Sequence, residues 1–191
     1  MSSTLENCEK YSQERGRRVI TLEASDGIKF ALHLHETLPS KLIQDAIEDD
    51  DIDIGCQSDG GNNHSIHSVI TLVNVSSNAL ENVVTFLKHH AIEPLQPIAP
   101  PLNGSSFEET IKQEWYCRFI NELPTKKELY QLLNAANYMD VEGLFNITCL
   151  RLSFDLMDKS PEEIRDILDL PKLSTEEEVK AREEHPWMFQ D

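Results

Sequence analysis

The stretch from Glu93 to Ser105 holds Pro94, Pro97, Pro100 and Pro101, four of the nine prolines in the chain. Proline fixes φ and has no backbone N–H, so this density excludes a regular element and reads as an exposed connector. It splits the 191 residues into two halves that follow different rules. Before it, apolar residues alternate. Ile20, Leu22 and Ala24 alternate with Thr21 and Glu23, Asp26-Gly27 reads as a turn, and Ile28, Phe30, Leu32 and Leu34 alternate with Lys29, Ala31, His33 and His35. That pattern predicts a β-hairpin with one apolar face. Ser40 after Pro39 is placed to cap a short helix carrying Leu42, Ile43, Ala46 and Ile47. Residues Asp49 to Ser68 read as an acidic loop, and Val69 to Val75 as a third strand. Asn78, with Glu81 three residues on, opens a helix bearing Leu80, Val83, Val84 and Leu87.

After the connector the spacing is helical throughout. Ser106 with Glu109 caps a helix through Ile111, Trp115 and Phe119, and Thr125 with Glu128 caps one through Leu129, Leu132, Leu133 and Ala136. Ser160-Pro161-Glu162-Glu163 opens another with proline at its first position. Thr175 with Glu178 opens a last one that Pro186 ends. A mixed half followed by a helical half is an α+β chain, of a length for one domain or one domain with an appendage.

Charge narrows the function classes. Seventeen Lys and Arg stand against 34 Asp and Glu, a net charge of −17, which repels nucleic acid and anionic lipid. The excess is concentrated between Asp45 and Asp59 and in the last thirty residues, as solvated loops and tails usually are. No apolar run approaches the roughly 20 residues of a membrane span. Cys8, Cys56, Cys117 and Cys149 show no paired spacing, and Met1 to Arg18 is polar. The expectation is reduced thiols, a cytoplasmic and nuclear location, and unmodified Asn63, Asn74, Asn103 and Asn146 sequons.

No phosphate loop, nucleophile elbow or metalloprotease helix is present, and the seven glycines are scattered. Cys56, His64 and His67 are zinc-type ligands, but they are three in a polar loop where a structural site takes four, so no metal or other cofactor is expected. Cys149 lies among apolar residues and reads as packed rather than nucleophilic. His89-His90 reads as a helix end. The informative segment is Gly143 to Asp158. Leu144, Ile147, Leu150, Phe154 and Met157 form one apolar stripe, and Phe145, Cys149, Leu152 and Leu156 a second, with Thr148, Arg151, Asp155 and Asp158 as the polar strip. Such a helix is either central to the core or presents one stripe to a partner, and spacing leaves both open. Trp187, Met188 and Phe189 beyond Pro186 leave the same choice between self-docking and partner-docking.

At these residues the chain resembles the S-phase-kinase-associated adaptors, which join F-box proteins to cullin scaffolds in SCF ubiquitin ligases. Trp115 with Phe119 is similar to the family's Trp-Asp-x-Glu-Phe helix, and Leu132 to Met139 follows its Ile-Leu-Ala-Ala-Asn-Tyr-Leu signature. Gly143-Leu144, Thr148-Cys149, Lys159 to Arg165, the glutamates after Thr175, Arg182 and Trp187 continue the pattern, so the likeness covers residues 18–189. Asn134 stands where the signature has an apolar residue.

The resemblance implies a BTB/POZ fold over residues 18–139, with a small three-stranded sheet packed by helices, an acidic loop at 49–68 and a Pro-rich loop at 93–105. A helical extension at 140–191 binds the F-box. It implies F-box contacts at Tyr130, Phe145, Cys149, Leu152, Leu156 and Trp187, and cullin contacts at Asn137 and Tyr138. The protein would then be a non-enzymatic adaptor. Its partners would be F-box proteins and a cullin, without nucleic acid or membrane, and weak self-association is open to it when no F-box is bound. The alternative is an F-box-binding adaptor of a non-cullin assembly such as a kinetochore complex, which Asn134 would suit.

Overall fold

The computed structural model describes residues 19–53, 69–98, 104, 106–172 and 174–189. They fall into two compact units, one ending at Arg151 and one beginning at Leu152. Cys8, Cys56, His64 and His67 lie outside the described residues.

The first unit opens with the expected hairpin, β1 (Val19–Ala24) and β2 (Lys29–His33), paired antiparallel with Ile20 opposite Leu32 and Leu22 opposite Phe30. The turn places Gly27 at φ +82°, with its N–H donating to Ala24 O at 2.9 Å and Ala24 N–H donating to Ile28 O at 2.9 Å. Only glycine adopts that conformation without cost. β2 is shorter than its alternation: Leu34–Thr37 is a 3-10 turn, capped by the Glu36 carboxylate on His33 N–H at 2.6 Å. β3 (Val69–Leu72) runs parallel to β1, giving the mixed sheet order β2-β1-β3, and ends three residues before the expected Val75.

α1 (Lys41–Asp53) corrects the expected loop start at Asp49, since the helix continues through the first acids to Asp53. Aspartate is a weak helix former, and the turns already established from Lys41 carry the run. α2 (Ser77–Ile92) is capped at Ser76 rather than Asn78. The Ser77 side chain, with the Ile28 and Ser77 backbone, hydrogen-bonds Asp26 of the hairpin turn and holds that carboxyl below its ordinary range. The orphan donors at the start of α2 therefore already have an acceptor.

The single helix expected through Ile111 and Phe119 is two: α3 (Phe107–Thr110), capped as expected by Ser106, and α4 (Glu114–Asn121). Buried Ile111 breaks them in extended conformation, with its carbonyl accepting the Cys117 Sγ–H at 3.1 Å. α5 (Lys126–Tyr138) has its Thr125 cap on Glu128 N–H, and α6 (Glu142–Leu156) follows. The core joins Ile20, Leu22 and Leu32 of the sheet to Leu80, Val83, Phe86 and Leu87 of α2 and Leu132 and Ala136 of α5, each essentially inaccessible.

The second unit holds the end of α6, then α7 (Pro161–Ile167), α8 (Thr175–Glu184) and a 3-10 turn at Pro186–Phe189. Ser160 and Glu163 form the expected reciprocal cap. The cap of α8 is Ser174 with Glu177, one residue earlier than Thr175 with Glu178.

Candidate functional site

Asn137 and Tyr138 form the last turn of α5, Asn137 exposed and Tyr138 half-buried. The helix ends there by a defined device. Asp140 takes φ +49°, its N–H donates to Asn137 O at 3.2 Å, and Val141 N–H donates to Ala136 O at 2.9 Å. This pair of bonds satisfies the terminal carbonyls in the manner usually built on glycine, and aspartate is among the few residues that tolerate the left-handed conformation. The corner is pinned from α1. Buried Ser40 donates its Oγ–H to Met139 O at 2.6 Å, Lys41 N–H donates to Asp140 O at 3.3 Å, and Lys41 Nζ lies 3.5 Å from the Asp140 carboxylate. The sequence marked Ser40 only as a helix cap, and its second role rests on a partner 99 positions away.

α6 resolves the two stripes. Leu144, Ile147 and Leu150 are buried, as the core side requires. Phe145, Cys149, Leu152 and Leu156 are all half-buried. At 100° per residue they fall within about 60° of arc, opposite the buried stripe. Thr148 departs from the expected polar strip: it is fully buried, its hydroxyl donating to the carbonyls of Leu144 at 2.8 Å and Phe145 at 2.9 Å, so a threonine fits without an orphan polar atom. Lower on the helix Phe154 is half-buried and Met157 exposed, so the first stripe is core only as far as Leu150.

Burial pushes the Cys149 thiol above its ordinary range, and burial with the charge of Glu108 does the same to Cys117. A nucleophilic cysteine needs the opposite environment. Among the described residues no group of three His, Cys, Asp or Glu side chains is placed to hold a metal ion, and no helix is long and apolar enough to cross a membrane.

Tyr130 stands half-buried on α5. Trp187 belongs to the second unit, in the terminal 3-10 turn, and is 70% exposed. In that unit neither α7 nor α8 contains a buried residue, and Leu170 and Val179 are exposed. Four of the six expected F-box residues thus share one side of one helix, and Tyr130 and Trp187 sit on other elements.

Comparison with known proteins points the same way. Residues 142–188 match the family model described as the Skp1 family, dimerisation domain. SKP1-like protein 1A of Arabidopsis thaliana is 28% identical over 172 residues, 90% of this chain and 97% of that protein. The E3 ubiquitin ligase complex SCF subunit sconC of Arthroderma otae is 29% identical over 88% of this chain and 93% of its own. The S-phase kinase-associated protein 1 homolog of Tetrahymena thermophila is 28% identical over 78% and 80%. The matched segment takes in the two-sided helix and most of the terminal turn, and together with the α+β, BTB/POZ-like architecture these likenesses make the chain similar to the Skp1 family.

Proposed function

We propose that this protein is the adaptor subunit of an SCF-type E3 ubiquitin ligase, linking F-box substrate receptors to a cullin scaffold. The observation that carries the reading is the stripe of Phe145, Cys149, Leu152 and Leu156, which stays half-buried on the helix whose other side is core. Apolar residues left accessible in a row on a rigid element favour a partner that covers them. A helical F-box segment suits such a stripe, because one helix receives another by interdigitating side chains at three- and four-residue spacing. Tyr130 and Trp187 add aromatic anchors for the same partner, and aromatics carry much of the energy of such interfaces.

Asn137 and Tyr138 are assigned to the cullin. They occupy a corner that Ser40 holds rigid, and a preorganised surface binds without the cost of ordering it. The protein contributes position and leaves the chemistry to other subunits, with no cofactor, in the cytoplasm and nucleus. Without an F-box partner the open stripe supports weak self-association.

The test is Tyr138→Lys in the full chain, with cullin and F-box capture measured side by side. Cullin binding is lost and F-box binding retained if the two surfaces are separate. Loss of both sinks the two-surface assignment, and wild-type protein that captures F-box proteins without any cullin places it in another assembly.

A further inference from the structure

Where α2 ends, a histidine is stacked in an aromatic wall with one nitrogen unused. The His89 ring lies on Trp115 of α4 at 3.7 Å between centroids and 12° between planes, and Trp115 in turn stacks on Phe119 at 5.0 Å. The Tyr116 ring meets His89 edge-on at 5.3 Å. His89 Nε2 is buried and has no hydrogen-bond partner among the described residues. A buried polar atom in that state costs free energy unless another protonation state or a small movement satisfies it. The Glu93 carboxylate faces it, with Oε2 3.6 Å away.

Glu93 is also the residue by which α4 grips the beginning of the Pro-rich connector. Its Oε1 accepts from Gln113 Nε2 at 2.8 Å, and its backbone carbonyl accepts from the Tyr116 hydroxyl at 2.5 Å. Gln113 Nε2 also donates to Pro94 O at 3.0 Å, and its Oε1 accepts from Gln96 N–H at 2.8 Å. One carboxylate thus stands between an unsatisfied imidazole on α2 and the clamp of α4 on the connector.

We propose that His89 is a pH-responsive clasp, whose protonation draws the Glu93 carboxylate onto Nε2 and tightens the hold of α4 on residues 93–96. Neutral His89 leaves the Glu93 carboxylate held through Oε1 by Gln113. Protonated His89 places a donor and a positive charge before Oε2, so the same carboxylate bridges both helices by charge-assisted bonds. The other titratable groups facing the ring do not compete. Burial, with the charge of Glu93, raises the Tyr116 phenol to about 12, so it remains a donor throughout the imidazole range. Burial and the neighbouring His89 lower His90, which packs on Phe86 rather than on Trp115.

The experiment uses the full chain carrying Trp187→Phe, so that Trp115 is its one indole, and follows fluorescence between pH 8 and pH 5. A charged imidazole stacked on indole quenches it, so intensity falls in one step as pH falls. His89→Gln abolishes the step and His90→Gln keeps it. Glu93→Gln moves its midpoint to lower pH, because the charged form has lost its partner. Amide exchange at Gln96, corrected for the intrinsic effect of pH, slows across the same step in the wild type and not in Glu93→Gln. Absence of the step, its persistence in His89→Gln, an unmoved midpoint in Glu93→Gln, or unchanged exchange at Gln96 would each overturn the clasp.

Discussion

Two stretches of equal apolar character meet opposite fates on α6. Leu144, Ile147 and Leu150 are buried, whereas from Leu152 to Trp187 no described residue is. Apolar character alone therefore does not place a residue inside. A residue is buried when another element of the same chain is there to cover it, and a sheet with α2 and α5 covers the first unit. Among its described residues whose burial is given, the second unit, with two short helices and a 3-10 turn, buries nothing fully, which fits the rule that small units cannot enclose a core of their own. In the first unit apolar side chains hold the fold, and in the second they remain available to something else.

The strongest way to break this contrast is to truncate one apolar side chain on each side of it. Phe86→Ala removes a fully buried ring that touches Tyr116 and Phe119, and should cost about 3–5 kcal/mol in denaturant unfolding. Leu156→Ala should cost less than about 1 kcal/mol of stability, while weakening capture of an F-box helix by more than about tenfold. Equal destabilisation by the two would show that Leu156 is core and would remove the case for an open stripe.

The next effect tests whether the Asn137-Tyr138 corner belongs to the rigid side. Ser40→Ala deletes the hydroxyl that donates to Met139 O in a buried site, leaving an acceptor without its partner at a cost of about 1–3 kcal/mol. Amide exchange should rise at Met139 to Val141 more than in the sheet. If the loss is spread evenly over the first unit, the serine supports the core in general and not the corner in particular.

The elements that sequence shows clearly are those whose cause is local. Alternation located the hairpin, and hydroxyl-plus-glutamate spacing located the caps at Ser106, Thr125 and Ser160. Where two cap-capable residues are neighbours, local chemistry does not choose between them. Ser174 and Thr175 precede Glu176-Glu177-Glu178, so either residue has a glutamate three positions on, and the earlier one wins. At α2 the choice fell to Ser76 because Asp26, about fifty residues earlier in sequence, supplies an acceptor. The helix ends at Asp140, Asp158 and Asp169 were hidden for another reason. Each aspartate adopts positive φ where glycine is the usual sign, and a chain with seven glycines gives little warning of it. As for the site, spacing alone found the stripe but not its exposure, since exposure depends on what the rest of the chain leaves uncovered.

The smallest expected effect returns to the second unit, where helix ends, not a core, do the holding. Glu163 Oε2 accepts from Ser160 N–H at 2.8 Å, and Glu177 Oε2 accepts from Ser174 N–H at 2.8 Å. These backbone bonds first, and the serine side chains next, hold both carboxyls below the ordinary value of 4.5. A carboxyl depressed in the folded state contributes stability that is fully present above its unfolded value and is lost as pH falls through the folded one. α7 and α8 should therefore fray at their starts as pH drops below 4.5, seen as faster exchange and shifted amide resonances at Ser160 and Ser174. In the first unit Ser106 and Thr125 take the N–H of Glu109 and Glu128 on their hydroxyls, bonds that do not titrate and that rest on a packed core. Glu163→Gln with Glu177→Gln supplies uncharged oxygens at the same places, so the acid step at Ser160 and Ser174 should vanish. A step that survives in this variant would mean that acid loosens the second unit through something other than its caps, and that the unit has more holding it together than its helix ends.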